Sequence, residues 1–390
     1  MIKTLYTRYF IKRLHNLKNA GSKNENQVAD YLNFFSKKKT EYEWVETSCI
    51  CKELNKNFTN NDITIGKYDR YCLDFETVMC QNCGHIRAKN YPKDKHLEDF
   101  YSAHYRRLMH KDIIDKENYT SIIFNSDREA SVRRHKFIFE NFDIKKNDKE
   151  LFILDFGGGS GGNLANLTNK GKLLLYDYDT QFYEIAKKHN IDIFKGTLSE
   201  LKKNYPKPDL IILSHVVEHW PNFVEMIEKI KTLCSNETNI YIEVPDIESS
   251  HYSDPTHCFT YCADSLKYVL QRNNFEILYI GTHKIFGTTN KNIPRRNFQH
   301  NLHCLARKNL KEKFNEFPNH GMKIYLKSKK NHSRIFKKFL FNKIKDLFKN
   351  FLDLLFLFLS KNINYFSAKL SIDFYEKIKI IFSKLINKFK

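Results

Sequence analysis

The chain has 390 residues, enough for two or three folded units, and its hydrophobic content of 41% supports a buried core. The formal net charge of +20 favours an anionic partner or surface, and residues 322–390 alone carry 17 Lys and Arg against 4 Asp and Glu. Residues 1–20 lack the pattern of a secretory signal, and the longest apolar run, 354–359, is too short to span a membrane, so we expect a cytoplasmic protein with reduced cysteines.

The first part of the chain divides by composition. Residues 1–40 are predicted to be a basic helical arm, and residues 41–95 carry five of the nine cysteines without a helical pattern. Residues 96–145 are predicted to be a helical connector, because "HLEDFYSAHYRRL" repeats apolar residues at three- and four-residue steps.

Two cysteine pairs in this region predict a structural zinc site. Cys80 and Cys83 form a Cys-x-x-Cys-Gly knuckle, in which the glycine permits a tight turn towards the thiolates. The first pair is one residue closer than usual, so Cys72 and His85 are alternative ligands, and buried inert thiols are the alternative to metal. Four thiolates leave no open position for water, which makes the zinc structural. The predicted ligands are Cys49, Cys51, Cys80 and Cys83.

Apolar runs then alternate with amphipathic stretches. The predicted strands are "LFILDF" (151–156), "KLLLYD" (172–177), "IDIF" (191–194), "PDLIILS" (208–214) and "NIYIEVP" (239–245). The predicted helices between them are "GNLANLTNK", "TQFYEIAKKHN" and "FVEMIEKIKTLC". This alternation predicts an α/β fold with a doubly wound, mainly parallel sheet over residues 146–310.

A glycine-rich turn at residues 157–162 follows the first of these strands. Glycines at the start of a helix let a ligand lie against backbone N–H groups. The turn fits the dinucleotide pattern through Gly157, Gly159 and Gly162, and it fits an acidic-x-Gly-x-Gly-x-Gly pattern that begins at Asp155. Asp177 ends the second strand, where a carboxylate can accept from both ribose hydroxyls. The residues alone therefore predict a nucleotide-like ligand.

Two later motifs distinguish between the two glycine patterns. "SHVVEHWPNF" (214–223) follows the fourth strand, and "IYIEVPDIE" (240–248) follows the next helix. With them, residues 151 to about 308 resemble a class I S-adenosylmethionine-dependent methyltransferase, which implies a Rossmann-like fold. The order of a cysteine knuckle, Tyr-rich helix and these motifs is similar to that of deoxysugar C-methyltransferases. In those enzymes a small N-terminal zinc module and Tyr-rich helices cover the acceptor site.

The resemblance implies S-adenosyl-L-methionine as cofactor and a role for each matching residue. Asp155 holds the ammonium of the cofactor, the glycines line its methionine moiety, and Asp177 binds the ribose. Ser214 lies beneath the sulfonium, or alternatively caps the next helix. The implied cofactor-binding residues are Asp155, Gly157, Gly159, Gly161, Asp177, Tyr178, Thr197, Leu198 and Ser214, with Tyr178, Thr197 and Leu198 near the adenine.

Acceptor-side residues follow the fourth strand. His219 is the predicted general base, since an imidazole titrates near neutral pH, and Glu218 orients it or the substrate. A purely structural hydrogen bond is the alternative for each histidine. The resemblance also implies a closing stretch of the form His-x-Phe-Ser/Thr and acceptor-side tyrosines. The residues that match are His257, Phe259, Thr260, Tyr101 and Tyr105, with His215 and His251 as further candidates.

The layout implies methylation of a saccharide or saccharide-linked group in surface glycan biosynthesis. The net charge suggests a nucleic-acid (RNA) methyltransferase as the alternative. Methyltransferases acting on base amines usually carry Asn/Asp-Pro-Pro-aromatic where this chain has "SHVVEH", so nucleic acid is not the expected partner. A non-catalytic cofactor-binding scaffold is the second alternative.

The C-terminal tail, residues 311–390, is predicted to form basic amphipathic helices. Apolar residues recur there at helical steps among many lysines. Such helices suit peripheral contact with the anionic inner face of a membrane. A helical appendage packed on the domain or on another subunit is the alternative.

Overall fold

The computed structural model describes residues 33–35, 37–54, 61–68, 74–109, 117–142, 150–246, 256–282 and 301–308. The chain divides into two compact units, Met1–Leu326 and Lys327–Lys390, and all of these ranges belong to the first. The predicted tail, most of the basic arm, Cys72 and His251 lie outside the described residues. Within these ranges, no helix combines the length and the hydropathy that a membrane span requires.

The described residues of the cysteine-rich region form short strands and one helix. They are β1 (Trp44–Glu46), α1 (Ile50–Leu54), β2 (Asp62–Tyr68), β3 (Asp74–Cys80), β4 (Ile86–Ala88) and β5 (Asn90–Pro92). Strand β1 pairs antiparallel with β5, and β2, β3 and β4 form an antiparallel sheet.

Helices follow, as the apolar spacing predicted. They are α2 (Asp94–Asp99), a π-helical turn (Phe100–His104), α3 (Tyr105–Met109) and the long α4 (Tyr119–Asn141). Helix α4 contacts the glycine turn, where the Ser160 hydroxyl donates to Asp127 Oδ2 at 2.5 Å. The connector is therefore packed directly on the region of the predicted ligand site.

The remaining elements form the large sheet and its helices. In chain order they are β6 (Leu151–Phe156), β7 (Gly171–Tyr176), α5 (Tyr183–Lys188), β8 (Asp192–Phe194), α6 (Leu198–Asn204), β9 (Leu210–Ser214), α7 (Phe223–Leu233), β10 (Asn239–Pro245), β11 (Phe259–Thr260), α8 (Ala263–Arg272), β12 (Phe275–Thr282) and β13 (Asn301–Lys308).

Among the described residues this sheet has seven strands, in the order β12-β13-β10-β9-β6-β7-β8. Strands β6 to β10 are mutually parallel, and β13 is antiparallel to both of its neighbours. The predicted doubly wound, mainly parallel α/β fold is confirmed. Strand β11 instead pairs with β4, so it extends the sheet of the cysteine-rich region.

Each face of the large sheet carries its own buried cluster, because successive strand residues point to opposite faces. Leu154 and Phe156 lie in one cluster with residues of α7 and α8, whereas Ile153 lies in the other with residues of α4 and α5. The result is a three-layer arrangement of helices, sheet and helices.

One helix prediction was wrong. The segment "GNLANLTNK" forms turns and a short 3-10 helix, Ala165–Leu167, where a full helix was expected. Gly161, directly before the segment, has a φ of +77°, so it does not lead into a right-handed helix, and β7 begins directly after the segment at Gly171. Helix α4, from the connector, packs on this face of the sheet instead.

The last glycine of the turn is required for packing. A Cβ on Gly162 would lie 2.3 Å from the Phe124 carbonyl oxygen and 2.9 Å from the Arg128 nitrogen, both backbone atoms of α4. We therefore expect Gly162→Ala to lower the free energy of unfolding by about 1–3 kcal/mol, measured by urea titration. In the control, Gly281→Ala, the nearest atom is the Tyr279 hydroxyl at 3.1 Å, and the expected change is within about 0.5 kcal/mol. Equal changes in the two variants would contradict this role.

Candidate active site

In the large sheet, β7 and β8 follow β6 on one side, and β10 follows β9 on the other side. The direction in which successive strands are added therefore reverses between β6 and β9. In doubly wound sheets, ligands bind at the carboxyl ends of the strands beside such a reversal. The glycine turn follows β6, and residues 215–219 follow β9. They are in contact, because a Cβ on Gly157 would lie 2.7 Å from Val216 Cγ2. Two of the predicted motifs therefore meet at one point.

The glycine turn is held by the end of the neighbouring strand. Gly157, Gly159 and Gly161 all have positive φ. The Gly159 N–H donates to Asp177 Oδ2 at 2.7 Å, and the Asp179 N–H donates to Asp177 Oδ1 at 2.7 Å. Each oxygen keeps a second lone pair, so the Asp177 carboxylate is fixed and still able to accept from ligand hydroxyls.

Asp155, at the end of β6, is fully buried. Neither of its carboxylate oxygens accepts a hydrogen bond of regular geometry within the described part of the chain. Burial raises its pKa to about 7, although the nearby Arg134 and the Asn163 side chain oppose this shift. A buried carboxylate with so few donors is costly, and a cationic ligand group would relieve that cost. These observations fit the ammonium group of an amino-acid-like ligand.

The other predicted cofactor residues differ in their surroundings. Tyr178 follows Asp177 and is 54% exposed. Thr197 is the N-cap of α6 in a capping box with Glu200, and Leu198 is the first residue of that helix. Ser214 donates to Glu243 Oε2 at 3.2 Å. The alternative that Ser214 caps the next helix is wrong, because Val216 is the N-cap residue there.

The predicted acceptor-side residues come together in a group that we call the histidine cluster: Tyr101, Glu218, His219 and His257. His219 Nδ1 lies 2.5 Å from the Thr256 carbonyl oxygen and 2.7 Å from the Tyr101 hydroxyl. A carbonyl only accepts, so Nδ1 carries a proton, and in the neutral imidazole Nε2 keeps its lone pair. The rings of His219 and His257 are 4.8 Å apart.

Such a cluster offers two kinds of chemistry. The free lone pair of His219 can take a proton from an acceptor. Ligand atoms of Glu218, His219 and His257 also lie within 4.8 Å of one another, close enough to hold a metal ion. Glu218 is buried, and its Oε2 has no hydrogen-bond partner among the described residues. A carboxylate oxygen is therefore available beside the two imidazoles.

His215 belongs to a different network. Its Nδ1 lies 3.3 Å from Glu218 Oε1, and its Nε2 lies 3.6 Å from Glu243 Oε1. Burial opposes its protonation, but the hydrogen bonds to Glu218 and Glu243 outweigh burial and raise the pKa of His215 to about 10. Burial alone would raise the pKa of Glu218, yet the bond from His215 holds it below its usual value. His215 thus lies between two carboxylates and orients Glu218.

Sequence reasoning missed the residues that complete this network. Arg134 Nε donates to Glu243 Oε2 at 2.6 Å, and Asn301 Nδ2 donates to Glu243 Oε1 at 2.6 Å. Tyr241 also donates to Glu243 Oε2, at 3.0 Å. The available signal was an acid inside the otherwise apolar strand "IYIEVP", because a buried acid requires a cationic partner.

Other predicted acceptor-side residues lie in β11 and in the Tyr-rich helix. Phe259 is buried in β11 opposite Arg87, and Thr260 lies opposite Ile86. The Tyr105 ring lies 5.3 Å from that of Tyr101. The stretch predicted to close the site is thus a strand of the sheet that carries the cysteine knuckle.

The four predicted cysteine ligands also come together, and we call them the cysteine cluster. The Cys49 and Cys83 sulfurs are 3.2 Å apart, and those of Cys51 and Cys80 are 3.6 Å apart. All four are buried, and their sulfurs lie within 4.8 Å of one another. His85 Nδ1 lies 3.3 Å from the Cys83 sulfur, as a hydrogen-bond neighbour. The donor set fits a tetrahedral thiolate site for zinc.

Comparison with known families identifies the central domain. Residues 124–280 match a family model described as a methyltransferase domain. The matched segment runs from α4 to β12 and includes the glycine turn, Asp177 and the segment after β9. The chain therefore contains a methyltransferase domain, and the predicted enzyme class is confirmed. No curated protein matches the chain.

Solved methyltransferases resemble the chain at low identity. A plantazolicin methyltransferase in complex with SAH is 17% identical and covers 55% of this chain and 98% of its own, with a TM-score of 0.39. Magnesium protoporphyrin IX methyltransferase from Synechocystis, with bound SAM, is 14% identical over 55% of this chain and 96% of its own, with a TM-score of 0.38. Human N-acetylserotonin methyltransferase, with SAM, is 16% identical over 53% and 60%, with a TM-score of 0.38.

The raised pKa of Asp155 predicts how stability changes with pH. The pKa is about 7 in the folded protein and lower in the unfolded chain, so the protonated carboxyl stabilises the fold at low pH. This contribution is lost as pH rises through about 7. Relative to Asp155→Asn, we expect the ligand-free protein to lose about 1.4 kcal/mol per pH unit up to that pKa and little beyond it. Urea unfolding at pH 5, 6, 7 and 8 measures this, and parallel curves for the two proteins would refute it.

Proposed function

We propose that the protein transfers a methyl group from S-adenosyl-L-methionine to a saccharide or saccharide-linked acceptor during surface glycan assembly. When bound, this cofactor supplies an electrophilic methyl group with a good leaving group. The observation that carries the cofactor assignment is the buried carboxylate of Asp155 beside the glycine turn. The saccharide acceptor is supported by the order of cysteine knuckle, Tyr-rich helix and methyltransferase motifs.

Each cofactor-binding residue is assigned to the part of the cofactor whose chemistry matches its side chain. Asp155 would hold the ammonium group, and Asp177, already fixed by two backbone N–H groups, would accept from the ribose hydroxyls. Tyr178, Thr197 and Leu198 remain the proposed neighbours of the adenine, and Ser214 remains at the strand end beneath the sulfonium.

The acceptor would meet the histidine cluster. His219 is fixed by the Thr256 carbonyl, so its Nε2 is prepared to take the proton of an acceptor hydroxyl. The Tyr101 hydroxyl lies within bonding distance of the same ring, and Glu218 keeps one free oxygen for a donor. Acceptors rich in hydroxyl groups, such as sugars, offer the donors that these groups require.

The cysteine cluster is proposed to bind zinc in a structural role. Strand β4 follows the knuckle and pairs with β11, and the Ala88 N–H donates to the Cys258 carbonyl at 2.9 Å. Cys258 is adjacent to His257, so the metal would fix the framework on which one side of the histidine cluster depends. Peripheral membrane contact through the tail stays a prediction.

The base assignment is tested with His219→Ala and His219→Gln. An acceptor is first found by screening saccharide extracts for a mass gain of one methyl group. General-base assistance contributes about 10²–10⁴-fold, so we expect both variants to lower kcat by about that factor while the calorimetric affinity for S-adenosylhomocysteine is kept. His189→Ala is the control, because His189 stacks on Phe124 at 4.4 Å, outside the cluster.

The outcomes separate the available roles. Activity of both variants within a few-fold of the parent would make His219 structural. Loss of activity on chelation, with zinc retained at the cysteine cluster, would assign Glu218, His219 and His257 to a metal ion instead. A parent protein that does not bind S-adenosylhomocysteine would refute the proposed cofactor.

The zinc assignment predicts about one zinc per chain in protein purified without chelator. Elemental analysis should show that Cys80→Ser and Cys83→Ser lose this metal, because each removes one of four ligands. Cys234→Ser should keep it, since Cys234 is buried but its sulfur contacts the Ile230 carbonyl, outside the cluster. Metal-free parent protein, or variants that retain zinc, would contradict the assignment.

A further inference from the structure

The histidine cluster has the donor set of an open metal site. Glu218, His219 and His257 each bring one ligand atom to within 4.8 Å of the others. Two imidazoles and one carboxylate are the protein ligands of zinc sites that keep a further position open for water or substrate. Imidazole ligands favour Zn²⁺, Ni²⁺ or Co²⁺ over Mg²⁺ and Ca²⁺, which prefer oxygen alone. The donor set therefore differs from that of the cysteine cluster, which offers only sulfur.

Two of the three side chains also have the outer hydrogen bonds that metal ligands usually have. A metal-binding histidine commonly donates its other ring N–H to a backbone carbonyl, and this bond fixes the tautomer and the ring. His219 Nδ1 has such a bond to the Thr256 carbonyl at 2.5 Å, so Nε2 would be the ligand atom. Glu218 is held at Oε1 by His215 Nδ1 at 3.3 Å. The cluster is thus supported from outside in the way that a metal site requires.

The remaining oxygen of Glu218 points to a cation independently of this geometry. Glu218 is 1% exposed, and its Oε2 has no hydrogen-bond partner among the described residues. A buried carboxylate oxygen without a partner is costly, and a bound cation would offset that cost. The side chains of His219 and His257 are only half-buried, so the cluster is open to an ion from solvent.

We propose that Glu218, His219 and His257 form a second metal site, which binds one divalent ion of the Zn²⁺, Ni²⁺ or Co²⁺ class. Three ligands hold an ion less tightly than four thiolates, so we expect this ion to be lost during purification while the cysteine cluster keeps its own. The lone pair of His219 Nε2 can hold either a proton or the ion. An ion at this site would therefore inhibit methyl transfer. The inhibition rests on the proposed function, whereas the binding of the ion does not.

Equilibrium dialysis against Zn²⁺, followed by elemental analysis, tests the binding. We expect the parent to rise from about one zinc per chain to about two. His257→Ala and Glu218→Gln should each raise the Kd of the second ion at least about 100-fold, because even the loss of an outer partner costs about 10- to 100-fold in metal affinity. His189→Ala is the matched control and should behave as the parent does, since His189 stacks on Phe124 outside the cluster.

Co²⁺, added to protein whose cysteine cluster is already filled with zinc, shows which donors hold the second ion. Cobalt bound to nitrogen and oxygen lacks the intense charge-transfer absorption of cobalt–thiolate bonds, and we expect the spectrum without that absorption. With an acceptor in hand, Zn²⁺ at saturation of the second site should lower kcat/KM by about the 10²–10⁴-fold that a general base contributes. Mg²⁺ at the same concentration should have no effect.

The contrary outcomes separate the metal site from the proposed base. A parent that takes up no second ion would overturn the site. So would a second ion that gives cobalt–thiolate absorption, or one that His257→Ala and Glu218→Gln proteins with the thermal midpoint of the parent retain equally well. A second ion that binds as expected but leaves methyl transfer unchanged, or is required for it, would uphold the metal site and overturn His219 as the base.

Discussion

The carbonyl oxygen of Thr256 is the atom on which the arrangement of the site most depends. It accepts from His219 Nδ1 at 2.5 Å, from the Tyr91 hydroxyl at 2.6 Å and from the Tyr101 hydroxyl at 3.2 Å. These donors come from the segment after β9, from β5 and from the π-helical turn, respectively. One backbone group therefore fixes the tautomer of the central histidine and joins the cysteine-rich region, the connector and the methyltransferase domain.

A second constraint is charge balance beneath the histidine cluster. Two buried acids, Glu218 and Glu243, face the Arg134 guanidinium and the His215 imidazole. His215 reaches both acids with a φ of +56°, a backbone conformation that is costly for a residue with a side chain. Its N–H donates to the Glu243 carbonyl at 2.8 Å, and this bond helps to hold the unusual conformation.

Local sequence patterns predicted many of the secondary-structure elements and several of the site residues. Strands such as 151–156 and 239–245 follow from buried apolar runs, and the acids at strand ends follow from the parallel topology. Contacts between distant segments could not be predicted in this way. Arg106 and Arg134 lie in helices whose spacing indicates burial but not which acid or turn they meet. The 3-10 helix at Ala165–Leu167 likewise shares a buried cluster with α4, which comes from an earlier segment of the chain.

The pairing of β4 with β11 bears on how the chain folds as it is synthesised. The cysteine cluster spans only Cys49 to Cys83, so its ligands leave the ribosome early and close together. Arg87, however, meets Phe259, and the sheet that contains the knuckle is complete only after about 170 further residues have been made. Until then the β4 edge has no partner strand, and an unpaired edge is open to non-native association. A metal-bound cysteine cluster would keep this edge in a fixed shape throughout that interval.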